Sequence, residues 1–327
     1  MTRRHGRFYC LSHVDDIDGV SSAALVKAAT GAEIKLTDYD NFLADLQNVP
    51  SSITGLVICD IGFDEAVADR ALGILGRVRK KCPVIYIDHH SLNPKLRSRL
   101  ESVTELVWDD RECASTLTYT RFANSLGRDY KRLAAYGAVT DYRDQSPTAK
   151  RILEVMSRHT VFLEATLLSN ALTETPSSAM DLVDALSSGK RPAQIPGVMD
   201  HAMAQLSKAA ANEQYVAGHG SKSGRIGWVK VGKTDHPSVF STIVEGILDV
   251  SVGIAYKEKQ EGWYDISMRS TDDMKFHLGE VVGKFCAKNG WAGGGHTHAA
   301  GCKIPKEKLS ALLYLLDSMA IAAWARR

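Results

Sequence analysis

A chain of 327 residues is long enough for two domains, each with its own core. Its composition, 44% hydrophobic and 24% charged with no Gly- or Pro-dominated tract, is that of a soluble globular protein and excludes a fibrous or disordered one. A formal net charge of only +2 excludes a global basic field, so any nucleic-acid site has to be a local patch, and no apolar run is long enough to cross a bilayer. The basic start, MTRRHGRFYCLSH, soon meets acidic residues, which is not a signal-peptide pattern. RFYCLSHV (7–14) reads as a strand and GVSSAALVKAA (19–29) as a helix. EIKLTDY (33–39) is a second strand, followed by a short helix around NFLADLQ (41–47). GLVICDIGF (55–63) is a third, almost wholly apolar strand, with a helix over 65–79 after it. PVIYIDHH (83–90) is the fourth strand and ELVWDD (105–110) the fifth. Apolar strands separated by helices indicate a parallel, doubly wound α/β sheet, buried on both faces. Helices then dominate, in CASTLTYTRFANSLG (113–127), YKRLAAYGAVTD (130–141) and a long stretch over 149–172.

The polar, Pro-containing SSGKRPAQIPGVM (187–199) and a helix around HAMAQLSKAAANEQ (201–214) mark a boundary. The division expected is 1–190 as a catalytic domain with a helical extension, 191–215 as a linker helix region, and 216–327 as a smaller mixed α/β domain. In the last, RIGWVKV (225–231), SVGIAYKE (251–258) and WYDISMRS (263–270) read as strands, the latter two forming an antiparallel hairpin through KQEG. Helices over 238–248 and 278–288 flank them, and LSALLYLLDSMAIAAWARR (309–327) is a closing helix. The six cysteines, Cys10, Cys59, Cys82, Cys113, Cys286 and Cys302, form no CxxC pair and are expected reduced in a cytoplasmic protein.

The chemistry gathers at the ends of the apolar segments. The first strand runs into LSHVDDIDGVSS, which sets His13, Asp15, Asp16 and Asp18 ahead of a helix. The third ends in Asp60, the fourth in Asp88, His89 and His90, and a later helix in Asp141. One such aspartate is ordinary helix capping. Several on one edge of a parallel sheet converge, and clustered carboxylates cannot all stay ionised without cations. A pair of divalent metals is the economical explanation, Mn²⁺ suiting mixed His and carboxylate ligands better than Ca²⁺, with Mg²⁺ or Co²⁺ as substitutes. Two such ions about 3.5–4 Å apart activate a water nucleophile and clamp the oxygens of an in-line phosphoryl displacement.

HVDDIDG, ICDIG, IDHH and GAVTD, in this order, resemble the four motifs of the DHH phosphoesterase superfamily, with its RecJ-type exonucleases, nanoRNases, nucleotide phosphatases and cyclic-dinucleotide phosphodiesterases. WAGGGHTHAAGCKI (291–304) resembles the glycine-histidine signature of the C-terminal DHH-associated domain, and ISMRS (266–270) its substrate-binding Arg-Ser. The resemblance implies that His13, Asp16, Asp18, Asp60, His89 and Asp141 are metal ligands, with Asp60 shared by both ions. Asp88 is then a support that orients a ligand, and His90 faces the scissile phosphate. Alignment on Asp-x-Asp-Gly selects Asp16 and Asp18; Asp15 stands as the alternative to Asp16. Arg269, Ser270, Gly293, Gly294, Gly295 and His296 are the implied substrate-binding residues, since bare glycine backbone lets a phosphate or base approach and arginine forks onto phosphate. Without the N-terminal motifs, Gly293–Gly295 would read as a plain turn before the strand AAGCKI (299–304). His298 is read as structural, His5, His159, His201, His219, His236 and His277 as surface or packing residues, Ser115 and Thr116 as helix caps, and Arg143 and Asp144 as candidate neighbours of Asp141.

The activity implied is a Mn²⁺-dependent phosphodiesterase, an exonuclease that removes nucleoside monophosphates from short RNA or single-stranded DNA. A small-nucleotide phosphatase or cyclic-dinucleotide phosphodiesterase using the same site is the alternative. An inactive nucleic-acid or replisome-binding module is a third reading, opposed by the intact ligand set. No membrane partner is expected, and a homo-oligomer stays open.

Overall fold

The computed structural model describes residues 7–62, 65–174, 178–260, 262–272 and 274–325. His5, Phe63 of the expected third strand, Glu261 of the expected hairpin turn, and Arg326 and Arg327 of the expected closing helix lie outside the described residues. The chain divides into two compact units, Met1–Leu206 and Ser207–Arg327. The division falls inside a 22-residue helix, Val198–His219, within the stretch 191–215.

In the first unit β1 (Phe8–His13), β2 (Glu33–Thr37), β3 (Gly55–Cys59), β4 (Val84–Asp88) and β5 (Glu105–Trp108) form one parallel sheet in the order β2-β1-β3-β4-β5. β3 and β4 are buried at every residue, which is why they read as unbroken apolar runs, whereas β2 lies at an edge and is only partly covered. The crossovers are α1 (Ile17–Thr30), α2 (Phe42–Gln47), α3 (Glu65–Arg79) and α4 (Pro94–Val103). The helical extension is α5 (Ala114–Phe122), α6 (Lys131–Thr140), α7 (Pro147–Leu153), α8 (Arg158–Glu174) and α9 (Ala179–Ser187). From Ile17 to Val26 every residue of α1 is buried, because its small side chains let it lie against α5, α6 and α9 as well as the sheet. Strand order reverses between β1 and β3, and the carboxyl ends of two such strands flank the crevice where open α/β sheets bind ligands.

Three features depart from the sequence reading. The stretch 149–172 is two helices rather than one: the amides of Val155 and Met156 turn back three residues to Ile152 and Leu153, closing α7, and the Ser157 carbonyl opens α8. α4 buries only Leu96 and Leu100, a stripe too thin to stand out, although Asn93 caps it and Pro94 begins it. α9 buries Ala179, Leu182, Val183 and Leu186, a spacing of three, four and seven that the polar residues after it obscure.

In the second unit β6 (Ser221–Ser223), β7 (Ile226–Lys230), β8 (Val252–Gln260), β9 (Trp263–Ser270), β10 (Gly293–Gly295) and β11 (Ala299–Pro305) form a mixed sheet, ordered β10-β11-β9-β8-β7-β6. Among the described residues only β7 and β8 pair in parallel; β8 and β9 are the expected antiparallel pair. One face packs on α10 (Val198–His219) and α11 (Pro237–Leu248) through Val216, Phe240 and Val244. The other packs on α12 (Leu278–Ala287) and α13 (Leu309–Trp324) through Leu278, Val282, Leu312 and Leu316. The three glycines that would read as a turn are a strand instead, paired with β11 by backbone alone.

Candidate active site

β1 delivers His13 to the switch point, and the turn after it becomes the N-terminus of α1. Asp16 is the N-cap, its Oδ1 accepting from the Gly19 amide at 2.9 Å, which leaves Oδ2 3.8 Å from His13 Nε2. Asp15 is exposed, 3.9 Å from the same nitrogen. Asp18 is buried, and its carboxylate accepts from the amides of Ala114 (2.7 Å) and Ser115 (2.9 Å), so the open N-terminus of α5 holds a side chain of the protein itself. α6 approaches this carboxylate because residue 137 is glycine; a Cβ there would stand 2.2 Å from Asp18 Oδ1.

β3 ends by turning Asp60 into the left-handed region at φ 59, while its amide still donates to the Ile87 carbonyl of β4 at 2.9 Å. Aspartate tolerates that conformation better than most residues. Asp60 is 1% exposed, and its Oδ1 lies 3.3 Å from His89 Nε2. The same His89 nitrogen is 3.9 Å from Asp18, and Nδ1 is 3.6 Å from Asp141 at the end of α6. His90 turns the other way: its Nδ1 lies 2.7 Å from Asp88 Oδ1, and its Nε2 lies 3.2 Å from the Tyr39 hydroxyl.

Two sets of donor atoms result, Asp60, Asp88, His89 and His90 in one and Asp18, His89 and Asp141 in the other, each within 4.8 Å. His13 and Asp16 stand beside one another but in neither set. Four atoms, His13 Nδ1, Asp60 Oδ2, His89 Nδ1 and Asp141 Oδ2, are buried with no hydrogen-bond partner among the described residues. Burial pushes the Asp60 carboxyl well above the usual range, and Asp18, Asp16, Asp88 and Asp141 push it the same way. Burial likewise raises Asp18, and raises Asp141 to about 6 with Asp18 adding to it. A cluster so short of positive charge, with donors left open, fits a divalent metal. The hydrogen bond to Asp88 raises His90 against the effect of its burial. Burial, then Asp60, pushes Tyr39 up to about 12, so its hydroxyl stays protonated at neutral pH.

Tyr39 is the residue the sequence does not announce. It lies just past β2 in a polar turn with no motif, yet its ring is 5.0 Å from that of His13 and its hydroxyl meets His90. Ser115 and Thr116 serve structure, the first bonding the Ala134 carbonyl and the second the amide of Cys113, the N-cap of α5. Arg143 lies 3.8 Å from Asp141, whereas Asp144 turns away to Arg158.

In the second unit Arg269 and Ser270 end β9. Arg269 donates to the Met268 carbonyl at 3.3 Å and has no carboxylate within 4.0 Å among the described residues. The Ser270 hydroxyl lies 3.2 Å from His298 Nδ1, so His298 positions Ser270. Gly294 and Gly295 hold φ 152 and 149, a region that side chains avoid, and a Cβ on Gly294 would meet nothing nearer than 4.0 Å. His296 is exposed beside them, its carbonyl taking the Gly279 amide of α12.

Residues 229–321 match the family model of the DHHA1 domain. No curated protein matches the chain significantly. Among solved structures the chain is similar to the pGpG-specific phosphodiesterase PggH from Vibrio cholerae, with 13% identity, TM-score 0.64, and 96% of this chain and 99% of that one covered. It is similar to the DHH domain of a protein described as a member of a family of ribosomal proteins, with 15% identity, TM-score 0.67, and coverage of 95% and 85%. It is also similar to RecJ from Thermus thermophilus in complex with Mn²⁺, with 16% identity and TM-score 0.61; the match takes in 98% of this chain but 53% of RecJ. Residues 229–321 thus match a DHHA1 domain, and the chain shares the fold of these solved structures.

Proposed function

We propose that this protein is a Mn²⁺-dependent phosphodiesterase that trims short nucleic acids, down to dinucleotides, from an end and releases nucleoside monophosphates. The observation that carries it is the buried donor cluster around His89, in which Asp60 Oδ2, His89 Nδ1 and Asp141 Oδ2 have no hydrogen-bond partner among the described residues. His13, Asp16, Asp18, Asp60, His89 and Asp141 would hold the divalent ions. When bound, such ions supply an activated water and neutralise charge on the reacting phosphate. Asp88 orients His90 and raises its affinity for a proton. His90, steadied by Tyr39, donates a hydrogen bond to a phosphate oxygen or a proton to the leaving group. Arg269, Ser270, Gly293, Gly294, Gly295 and His296 grip the nucleotide, the space over Gly294 admitting close approach.

A short substrate is favoured because a net charge of +2 leaves little for a long basic track. A solved structure named for a dinucleotide is covered over 99% of its own length, whereas the chain spans about half of RecJ. The test is a panel of labelled RNA of graded length, single-stranded DNA, linear and cyclic dinucleotides and a nucleoside 3′,5′-bisphosphate, with Mn²⁺, Mg²⁺, Co²⁺ or chelator. We expect Mn²⁺-dependent release of monophosphates, fastest on the shortest oligonucleotides. Turnover of the bisphosphate alone would make the protein a nucleotide phosphatase, and turnover of nothing would overturn the reading.

A further inference from the structure

We infer that Tyr142 is a stacking platform for a nucleobase of the substrate, so that it sets a preference for a substrate carrying a base at that position; this rests on the phosphodiesterase reading above. At the end of α6 the Arg143 amide donates to the Ala138 carbonyl at 2.7 Å and the Tyr142 amide to Val139 at 3.4 Å, the bonding pattern of a Schellman motif. Its left-handed position, φ 55, falls on Tyr142. Glycine is the residue that fits there, as Gly31 does at the end of α1 with φ 69. The other positive-φ positions without glycine among the described residues, Asp60 and Asp249, carry aspartate, which tolerates them. Tyrosine does not, and the fold gains nothing visible in return. The side chain is 92% exposed, and among the described residues it makes no hydrogen bond, ion pair or ring contact.

A strained backbone carrying an unused side chain calls for a functional account. The place supplies one. Tyr142 follows Asp141 directly, and with Arg143, Arg111 and Gln145 it lines an open pocket of about 410 Å³. Arg111 is fixed in its wall by a two-pronged contact with Asp109. Arg143 has only Asp141 as a charge partner among the described residues, at 3.8 Å, and is free to meet a phosphate oxygen. A flat aromatic face one residue from a cluster suited to phosphoryl chemistry, with a guanidinium next to it, is the chemistry that holds a nucleotide: base on ring, phosphate on arginine.

The test compares wild type, Tyr142→Gly and Tyr142→Phe on a Mn²⁺-activated di- or trinucleotide and on the same molecules with the base removed at each position in turn. We expect wild type and Tyr142→Phe to prefer the intact substrate at one position by about tenfold in kcat/KM, and Tyr142→Gly to lose that preference. We expect Tyr142→Gly to melt about 2 °C higher than wild type, because glycine relieves the left-handed position. A base preference retained by Tyr142→Gly would overturn the inference. So would a loss as large in Tyr142→Phe, or a lower Tm in Tyr142→Gly, which would make the side chain structural. A wild type inactive on every phosphodiester defeats the phosphodiesterase reading alone: AMP titrated into wild type and Tyr142→Gly then decides, equal affinity overturning the stack and a roughly tenfold weaker variant supporting it.

Discussion

The Nδ1 of His90 lies 2.7 Å from Oδ1 of the buried Asp88, while its Nε2 lies 3.2 Å from the Tyr39 hydroxyl, so the ring is held from both sides. We propose that the two act as one unit, with Asp88, only 3% exposed, acting through the ring it holds. His90→Ala should lower kcat about 100-fold and Asp88→Asn about tenfold, in the range of acid–base and positioning effects. The double variant should be no slower than His90→Ala, since effects of residues acting as a unit do not add. Additive losses would mean that Asp88 acts on its own, as a ligand for example.

Asp60→Asn separates charge from backbone. Asparagine accepts the left-handed conformation at φ 59, so the turn survives, while one of several mutually repelling carboxylates disappears. Without metal the variant should melt at or above the wild-type temperature. Saturating Mn²⁺ should raise the wild-type Tm by mass action and leave the variant nearly unmoved, with turnover abolished. A variant that keeps both the Mn²⁺ shift and activity would remove Asp60 from the site.

What the sequence reveals about each residue depends on where that residue gets its role. β3 and β4 are buried on both faces, so their apolar runs and the polar groups closing them, Asp60 and Asp88-His89-His90, are plain in the sequence. Tyr39 is not, because its place between His13 and His90 comes from how the chain returns from β2. Tyr142 is silent for a related reason: its backbone φ and its bareness are facts of the fold, and tyrosine after a helix carries no signal. α4 is hidden by its two-residue buried stripe, and β10 because glycine reads as turn even when backbone pairing makes it a strand.

Arg269→Ala and His296→Ala should each raise KM about five- to tenfold and change kcat less than about twofold, a pattern that marks uniform binding lost from a part of the substrate remote from phosphorus. His298→Ala should do the same more weakly, since it acts by holding Ser270 at 3.2 Å. Steady-state kinetics on a dinucleotide reads all three. Losses confined to kcat would draw the DHHA1 domain into the chemical step.

Glu245 gives the second unit a pH dependence of its own. Burial, with a smaller push from Asp272, carries its carboxyl up to about 7, against the pull of Arg269, and its Oε1 is buried without a hydrogen-bond partner among the described residues. Between the ordinary value of 4.5 and about 7 the folded protein therefore keeps a proton that the unfolded chain has released. Folding binds a proton in that window, so this group's contribution to stability falls as pH rises through it and is flat above. Glu245→Gln cannot ionise and escapes the loss. Its advantage over wild type should grow from about pH 5 to about 7.5 and then level at about 1 kcal/mol, the full linkage being cut by solvent screening at a partly exposed site. Tryptophan fluorescence suits the measurement, because four of the five tryptophans, Trp228, Trp263, Trp291 and Trp324, lie in this unit. Subtracting the wild-type curve cancels the other titrating groups. A difference that stays constant with pH, or a variant less stable at about pH 8, would show that the charge of Glu245 is compensated in the folded protein.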